Sequence, residues 1–351
     1  MSSTHQNKKL ALSPPRILAT LSVSLLIFVL CLGLFGINVS QAMGNDIAKA
    51  YQSYRCCSKT ALAAFTACHH EIMDNYWISV GKCNNLSGPD ERRECLAGAK
   101  DELKDAKELC KDQLDARLDV CKEIGEAAYD PQLDPKNFVD PETISKSTAN
   151  KYFPLISGTQ WIYEGETGEG FERITVKVTG EIKEIEYPQE SGRIFKCLVV
   201  CDVVTLNGEV VEDTEDWYAQ DKEGNVWYFG EISKGFENGE LVTIDGSWKA
   251  GREDAKPGVV MRANPKEGDY YRQEFFLGDA EDMAGIVGRG VESVTVPFGG
   301  TYTIDVLKTK EFTPIEPDAF EYKYYAPGVG LILELNPESG ERIGLIDMTM
   351  P

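Results

Sequence analysis

Histidine is nearly missing from this chain: there are three in 351 residues, at positions 5, 69 and 70, and none follows His70. That excludes a His-dependent triad from everything downstream. Also missing are a Gly-rich phosphate loop, a nucleophile elbow of the G-x-S-x-G type and any Cys-x-x-Cys pair, and with them the usual sequence marks of nucleotide binding, acyl transfer and zinc ribbons. Positive charge is scarce. Against 57 acidic residues stand 36 Lys and Arg, a formal net charge of −21, and residues 151–351 alone hold 38 acids and 19 bases. Such a surface repels nucleic acid and anionic lipid, so no nucleic-acid partner is expected.

What is present is a pattern of cysteines. Cys57 and Cys121, Cys68 and Cys110, and Cys83 and Cys95 are three pairs, each centred on Pro89. Two antiparallel helices joined there set every pair side by side. Steps of 11 and 15 residues along an arm turn by only about 20° and 60° at ~100° per residue, which keeps the sulfur atoms near one face. Apolar positions recur by threes and fours along the same face, as in Leu96, Ala99, Leu103, Ala106, Cys110 and Leu114, with Arg117 the one charged residue in the seam before Cys121. Asn84 to Asp90 supplies the break, with Ser87 a cap candidate and Pro89 near the first helical position. A two-helix unit buries little apolar area, which gives three bridges a physical purpose. The competing zinc reading finds no usual ligand spacing, and His69 and His70, adjacent on a helix, point about 100° apart. Cys56, Cys197 and Cys201 have no place in the ladder; either a bridge from Cys56 to one of the other two or burial as small apolar groups accounts for them.

The first 42 residues carry Lys8, Lys9 and Arg16 but no acid, then an uncharged apolar run from Ile17 to Ile37, then Ser40-Gln41-Ala42. This is an export signal, either cleaved before Met43 or retained as a membrane anchor through residues 17–37. The remainder is expected in a periplasmic or secreted setting, where disulfides persist, or held at the inner membrane by that helix. Residues 43–126 form the Cys-rich hairpin and residues 127–150, with Pro131, Pro135 and Pro141, a linker of extended character. From residue 151 to 351 the period becomes two. Strands are expected at 171–179, 193–206, 209–220, 225–231, 241–249, 270–277, 291–298, 301–309, 321–326 and 330–335, with type I′ hairpins at Asn207-Gly208 and Asn238-Gly239. The fold class is therefore α+β: a disulfide-stapled helical hairpin followed by a separate antiparallel β-meander domain, a barrel or a strongly curved sheet.

Phe153-Pro154-Leu155, Gly158-Thr159-Gln160-Trp161-Ile162-Tyr163-Glu164-Gly165, Asp216-Trp217-Tyr218-Ala219-Gln220-Asp221 with Gly224 to Glu231, and Tyr324-Tyr325-Ala326-Pro327-Gly328-Val329-Gly330 resemble motifs of a family of exported bacterial proteins of uncharacterised function. The resemblance implies an envelope or secreted setting and brings no catalytic residue.

Candidate chemistry reduces to acids and aromatics. Glu212-Asp213 with Glu215-Asp216, Glu253-Asp254, and Asp279 with Glu281-Asp282 are paired acids; they fit acidic turns, a glycosidase pair, or calcium near Asp221 or Asp279 without the EF-hand ligand spacing. Trp217, Trp227, Tyr228 and Trp248 concentrate in neighbouring hairpins and are the candidate ligand-contacting residues, with core filling as the alternative. The expected function is an exported, non-enzymatic envelope protein whose β domain binds an apolar or glycan ligand, or a protein partner. No cofactor or metal is expected. Alternatives are a carboxylate-dependent hydrolase of envelope polysaccharide and a structural assembly subunit.

Overall fold

The structure, a computed structural model, describes residues 56–351 apart from Val291. The expected export segment, residues 1–42, lies outside the described residues. Helix α1 (Cys56–Asn84) and helix α2 (Pro89–Ile124) are antiparallel, roughly 44 and 54 Å long at 1.5 Å per residue. All three expected disulfides form, with Cα separations of 5.7 Å for Cys57 and Cys121, 5.9 Å for Cys68 and Cys110, and 5.5 Å for Cys83 and Cys95. Gly88, not Ser87, is the N-cap of α2, and Pro89 enters the first turn, where a missing N–H costs nothing. The start of α1 is capped from across the hairpin: the Glu126 carboxylate accepts hydrogen bonds from Ser58 N (3.0 Å) and Ser58 Oγ. Apart from the cysteines, the buried apolar residues of the hairpin are Ala61, Ala64, Ala99 and Val120. So small a core leaves the sulfur bridges as its main fastening.

The strands are β1 (Gln160–Thr167), β2 (Gly170–Glu186), β3 (Ile194–Leu206), β4 (Glu209–Gln220), β5 (Val226–Glu237), β6 (Glu240–Thr243), β7 (Trp248–Lys249), β8 (Lys256–Met261), β9 (Tyr270–Arg272), β10 (Glu274–Phe275), β11 (Met283–Arg289), β12 (Val294–Val296), β13 (Gly300–Tyr302), β14 (Leu307–Phe312), β15 (Phe320–Ala326), β16 (Gly330–Leu335) and β17 (Arg342–Thr349). Strands β12 and β13 make a separate ribbon; the others form one antiparallel sheet ordered β10-β8-β5-β4-β3-β2-β1-β17-β16-β15-β14-β11-β9, with β6 and β7 beside β5. Its two ends, β9 and β10, are joined by a single residue, Gln273, so the sheet curls into a nearly closed barrel. Gly258 in β8 allows that closure. A Cβ there would meet the Gln273 carbonyl at 2.3 Å.

Several expected strands have different bounds. The run 241–249 divides into β6 and β7, 270–277 breaks at Gln273, and 301–309 divides into β13 and β14. Strands β1, β8, β11 and β17 were not among the expected ones. Both Asn-Gly turns have positive φ at each central residue, as type I′ geometry requires.

The hairpin is pinned to the barrel beside the closure. Arg117 donates to both carboxylate oxygens of Glu281, from Nε at 3.0 and 3.1 Å and from Nη2 at 2.7 Å, with both side chains buried. The next residue, Asp282, offers its carbonyl to Gln273 N at 2.8 Å. Residues 127–150 run along the outside through two short 3-10 turns, Pro135–Asn137 and Pro141–Thr143, capped by Asp134 and Asp140. Between those turns Phe138 packs edge-on against Phe195 (5.0 Å) and Phe229 (5.9 Å). Replacing Arg117 with alanine removes the buried ion-pair partner of Glu281, and urea unfolding followed by circular dichroism should show a loss of about 3–5 kcal/mol. A loss below about 1 kcal/mol would mean that the pair behaves as a solvated surface bridge.

Candidate functional site

The barrel interior holds a cavity of about 240 Å³. Alternation along each strand decides what faces it. Strands β1 and β2 contribute Trp161, Tyr163, Ile174, Val176 and Val178, and the segment before β1 adds Phe153, Pro154 and Leu155, so this wall is apolar and aromatic. That segment is fixed by Asn150, whose Oδ1 accepts from Tyr152 N (2.8 Å) and Phe153 N (3.0 Å) while Nδ2 donates to Gly224 O at 2.7 Å. Trp161 Nε1 donates to Val329 O at 2.7 Å and Tyr163 Oη to Leu331 O at 3.2 Å. Three of the four sequence motifs singled out above thus converge on one side of the cavity.

Away from β1 and β2 the lining is rich in acids. Asp202 comes from β3, Asp216 from β4, Glu274 from β10, Asp282 from the residue before β11, Glu311 from β14 and Glu334 from β16. One cation stands among them, Lys323 of β15, at 3.0 Å from Glu321, 3.3 Å from Glu311 and 3.5 Å from Glu334. Burial alone would pull the Lys323 ammonium down, but those three carboxylates outweigh it and hold it well above its usual range.

The remaining acids respond to burial by keeping their protons. Burial, then Asp216 and Glu212, push Asp202 up to about 8. Burial and Glu231 push Asp216 up to about 8, against a hydrogen bond of 2.5 Å that Tyr228 Oη donates to it. Glu231, the cross-strand partner of Asp216, rises to about 7, chiefly by burial. Burial also drives Glu274 well up, whereas at Glu334 the upward push of burial is opposed by its partner Lys323. Asp202 and Asp216 are diagonal neighbours on adjacent strands, since Asp202 pairs with Thr214 and Val200 with Asp216. Asp202 is half-buried and lines the cavity, and its Oδ1 is fully buried with no hydrogen-bond partner.

Of the four aromatic residues marked from the sequence, Tyr228 lines the cavity, stacked on Tyr218 at 4.7 Å. Trp248 lies edge-on to Tyr228 at 5.3 Å, just behind the wall. Trp217 and Trp227 point the other way: Lys183 covers the Trp217 ring at 4.9 Å, while Trp227 faces Phe138 and donates to Asp221 Oδ2 at 2.9 Å. Asp221 also accepts from Asn225 N and Nδ2, which commits it to its hairpin loop. Glu281 is committed to Arg117. Among the described residues no group of three or more His, Cys, Asp or Glu is placed to hold a metal ion. Cys56, Cys197 and Cys201 are free, with Cys197 buried and Cys56 exposed.

Asp202, Glu274, Glu311, Lys323 and Glu334 escaped the sequence reading. A signal was there: Asp202 interrupts the apolar run Leu198 to Leu206, two residues from the inward-facing Val200, and Glu334 interrupts the run Leu331 to Leu335.

Comparison of the chain with protein-family models, curated proteins and solved structures finds no match. The resemblance to exported bacterial proteins therefore rests on the quoted motifs alone.

Carboxyls with folded pKa values above the unfolded value of about 4 hold more protons folded than unfolded. Their stabilising contribution is complete below about pH 4 and disappears as pH climbs toward 8. The urea midpoint is accordingly expected to fall between about pH 5 and 8. Asp202→Asn should flatten that slope by about one proton, about 1.4 kcal/mol per pH unit; an unchanged slope would mean that Asp202 titrates like a surface carboxylate.

Proposed function

We propose that this chain is an exported, non-enzymatic binding protein whose barrel encloses a small molecule. The observation that carries the reading is one cavity that combines an apolar, aromatic lining from β1 and β2 with several acids from the other strands, a concave apolar site with polar groups to orient a ligand. Size narrows the choice. A cavity of ~150 Å³ takes benzene, so about 240 Å³ suits a ligand of roughly ten non-hydrogen atoms. That favours a compact, partly apolar molecule over a glycan chain. The three disulfides fit an oxidising, exported environment. Within it a periplasmic or secreted location is the natural reading, with residues 17–37 either removed or kept as an anchor. No described helix is long and apolar enough to cross a membrane.

Proton-holding carboxyls are also what a polysaccharide hydrolase needs in its general acid. The cavity volume speaks against that alternative, since a polymer needs an open groove. An assembly subunit would offer a long free sheet edge; here the two ends of the main sheet meet at Gln273.

The test is native mass spectrometry of the oxidised protein, compared with its denatured mass. Expected is an adduct lost on denaturation, absent from a Val176→Trp variant that keeps its circular dichroism and its disulfides. A wild-type protein with no adduct, and with a melting temperature insensitive to every compound of this size, would overturn the reading.

A further inference from the structure

Resting on that reading, we propose that the ligand is a small organic monoamine, its ammonium held between Asp202 and Asp216 and its apolar or aromatic body laid against Phe153, Trp161, Ile174 and Val176. Three independent features converge on this class. First, an anion finds no free cation in the lining, because its single lysine is already gripped by Glu311, Glu321 and Glu334. Second, a neutral apolar ligand leaves Asp202 Oδ1 as it stands, a buried acceptor with no donor, and such groups are costly to leave unmade. An N–H donor beside it removes that cost. Third, a polyamine or a hydrated metal ion would waste the apolar wall, and no described group of residues has the makings of a metal site. A cation with a hydrophobic body is what both walls accept together.

The same wall is lined with rings. Tyr218 and Tyr228 stack beside Asp216, and Tyr163 faces them from β1. Aromatic faces attract an ammonium, most strongly when it is desolvated. Neither Asp202 nor Asp216 has a salt-bridge partner within 4 Å among the described residues, so the ligand does not have to displace a protein cation. It displaces protons instead. An ammonium entering as R–NH₃⁺ stabilises the ionised form of the carboxyl it meets, and the carboxyl proton leaves to solvent with no bond made or broken elsewhere. The groups that set this titration come from several strands: Glu172 on β2, Glu212 and Tyr218 on β4, Tyr228 and Glu231 on β5 and Lys323 on β15, with Tyr163 on β1 and Glu334 on β16 also close enough to interact with Asp202; Glu274, Asp282 and Glu311 line the same cavity. Burial and the neighbouring acids oppose the loss of a proton until a cation arrives, while Lys323 and the tyrosine hydroxyls that donate to Asp216 favour the ionised form.

The experiment is titration calorimetry of the full oxidised chain with three probes of one shape and three charges: phenethylamine, 2-phenylethanol and 3-phenylpropionate. Phenethylamine is expected to bind at least tenfold tighter than the alcohol, and the acid not at all. Its affinity should rise from about pH 6 to 8, with a heat that depends on the buffer's ionisation enthalpy because protons are released, while the alcohol shows neither effect. Asp202→Asn should weaken the amine at least tenfold and spare the alcohol; Asp216→Asn serves the same comparison if the first variant misfolds. Equal or tighter binding of the alcohol overturns the amine assignment and leaves the cavity reading intact. Binding of none of the three overturns both.

Discussion

An antiparallel sheet must dispose of its two edges, and in this protein both edges belong to neighbouring residues of one segment. The chain leaves β9 at one side of the sheet and one residue later enters β10 at the other, so Gln273 is the seam of the barrel. The seam holds because Gly258 presents no side chain to the Gln273 carbonyl, because Asp282 accepts from Gln273 N, and because Arg117 grips the adjacent Glu281 from the helical hairpin. Everything inside depends on it. An open sheet would expose Asp202 and Asp216 to water, where they would be ordinary carboxylates.

Inside the seam the protein breaks the rule that inward positions are apolar, and it does so on six segments outside β1 and β2. Buried carboxyls that retain protons are neither stabilising ion pairs nor good hydrophobic packing. Local conflicts of this kind are usually found where a fold gives up stability for a site. Lys323 shows the contrast: its three partners satisfy it, so it organises β14, β15 and β16 rather than meeting a guest.

How much of this was legible in the chain follows from how local each signal is. The hairpin was readable because six cysteines, a proline and a 3.6-residue period all state one register. The Asn-Gly turns were readable because only a few residues tolerate two successive positive φ values. Strands β8 and β11 were hidden by their own function in closure: Lys256-Pro257-Gly258 and the Gly285 to Gly288 stretch read as breaks, yet Gly258 makes room for Gln273 and Gly285 for the Tyr270 ring. Among the aromatic residues, sequence marked the right hairpins but not the faces. Trp217 and Trp227 turn out to serve the outer packing with Phe138 and Lys183, and Tyr228 between them faces in. Face assignment needs the register of the whole barrel, which no single strand contains. The acidic wall was least visible, since its members lie on six separate segments from residue 202 to residue 334.

Strand β1 pairs on one side with β2, its immediate successor, and on the other with β17, the last strand of the barrel. During synthesis or export the first staves of this cask must therefore wait, half joined, until residues 342–349 have emerged to be fitted between β16 and β1. A chain made from its N-terminus onward stays pliable until its last strand is laid in, and only then does the cask close.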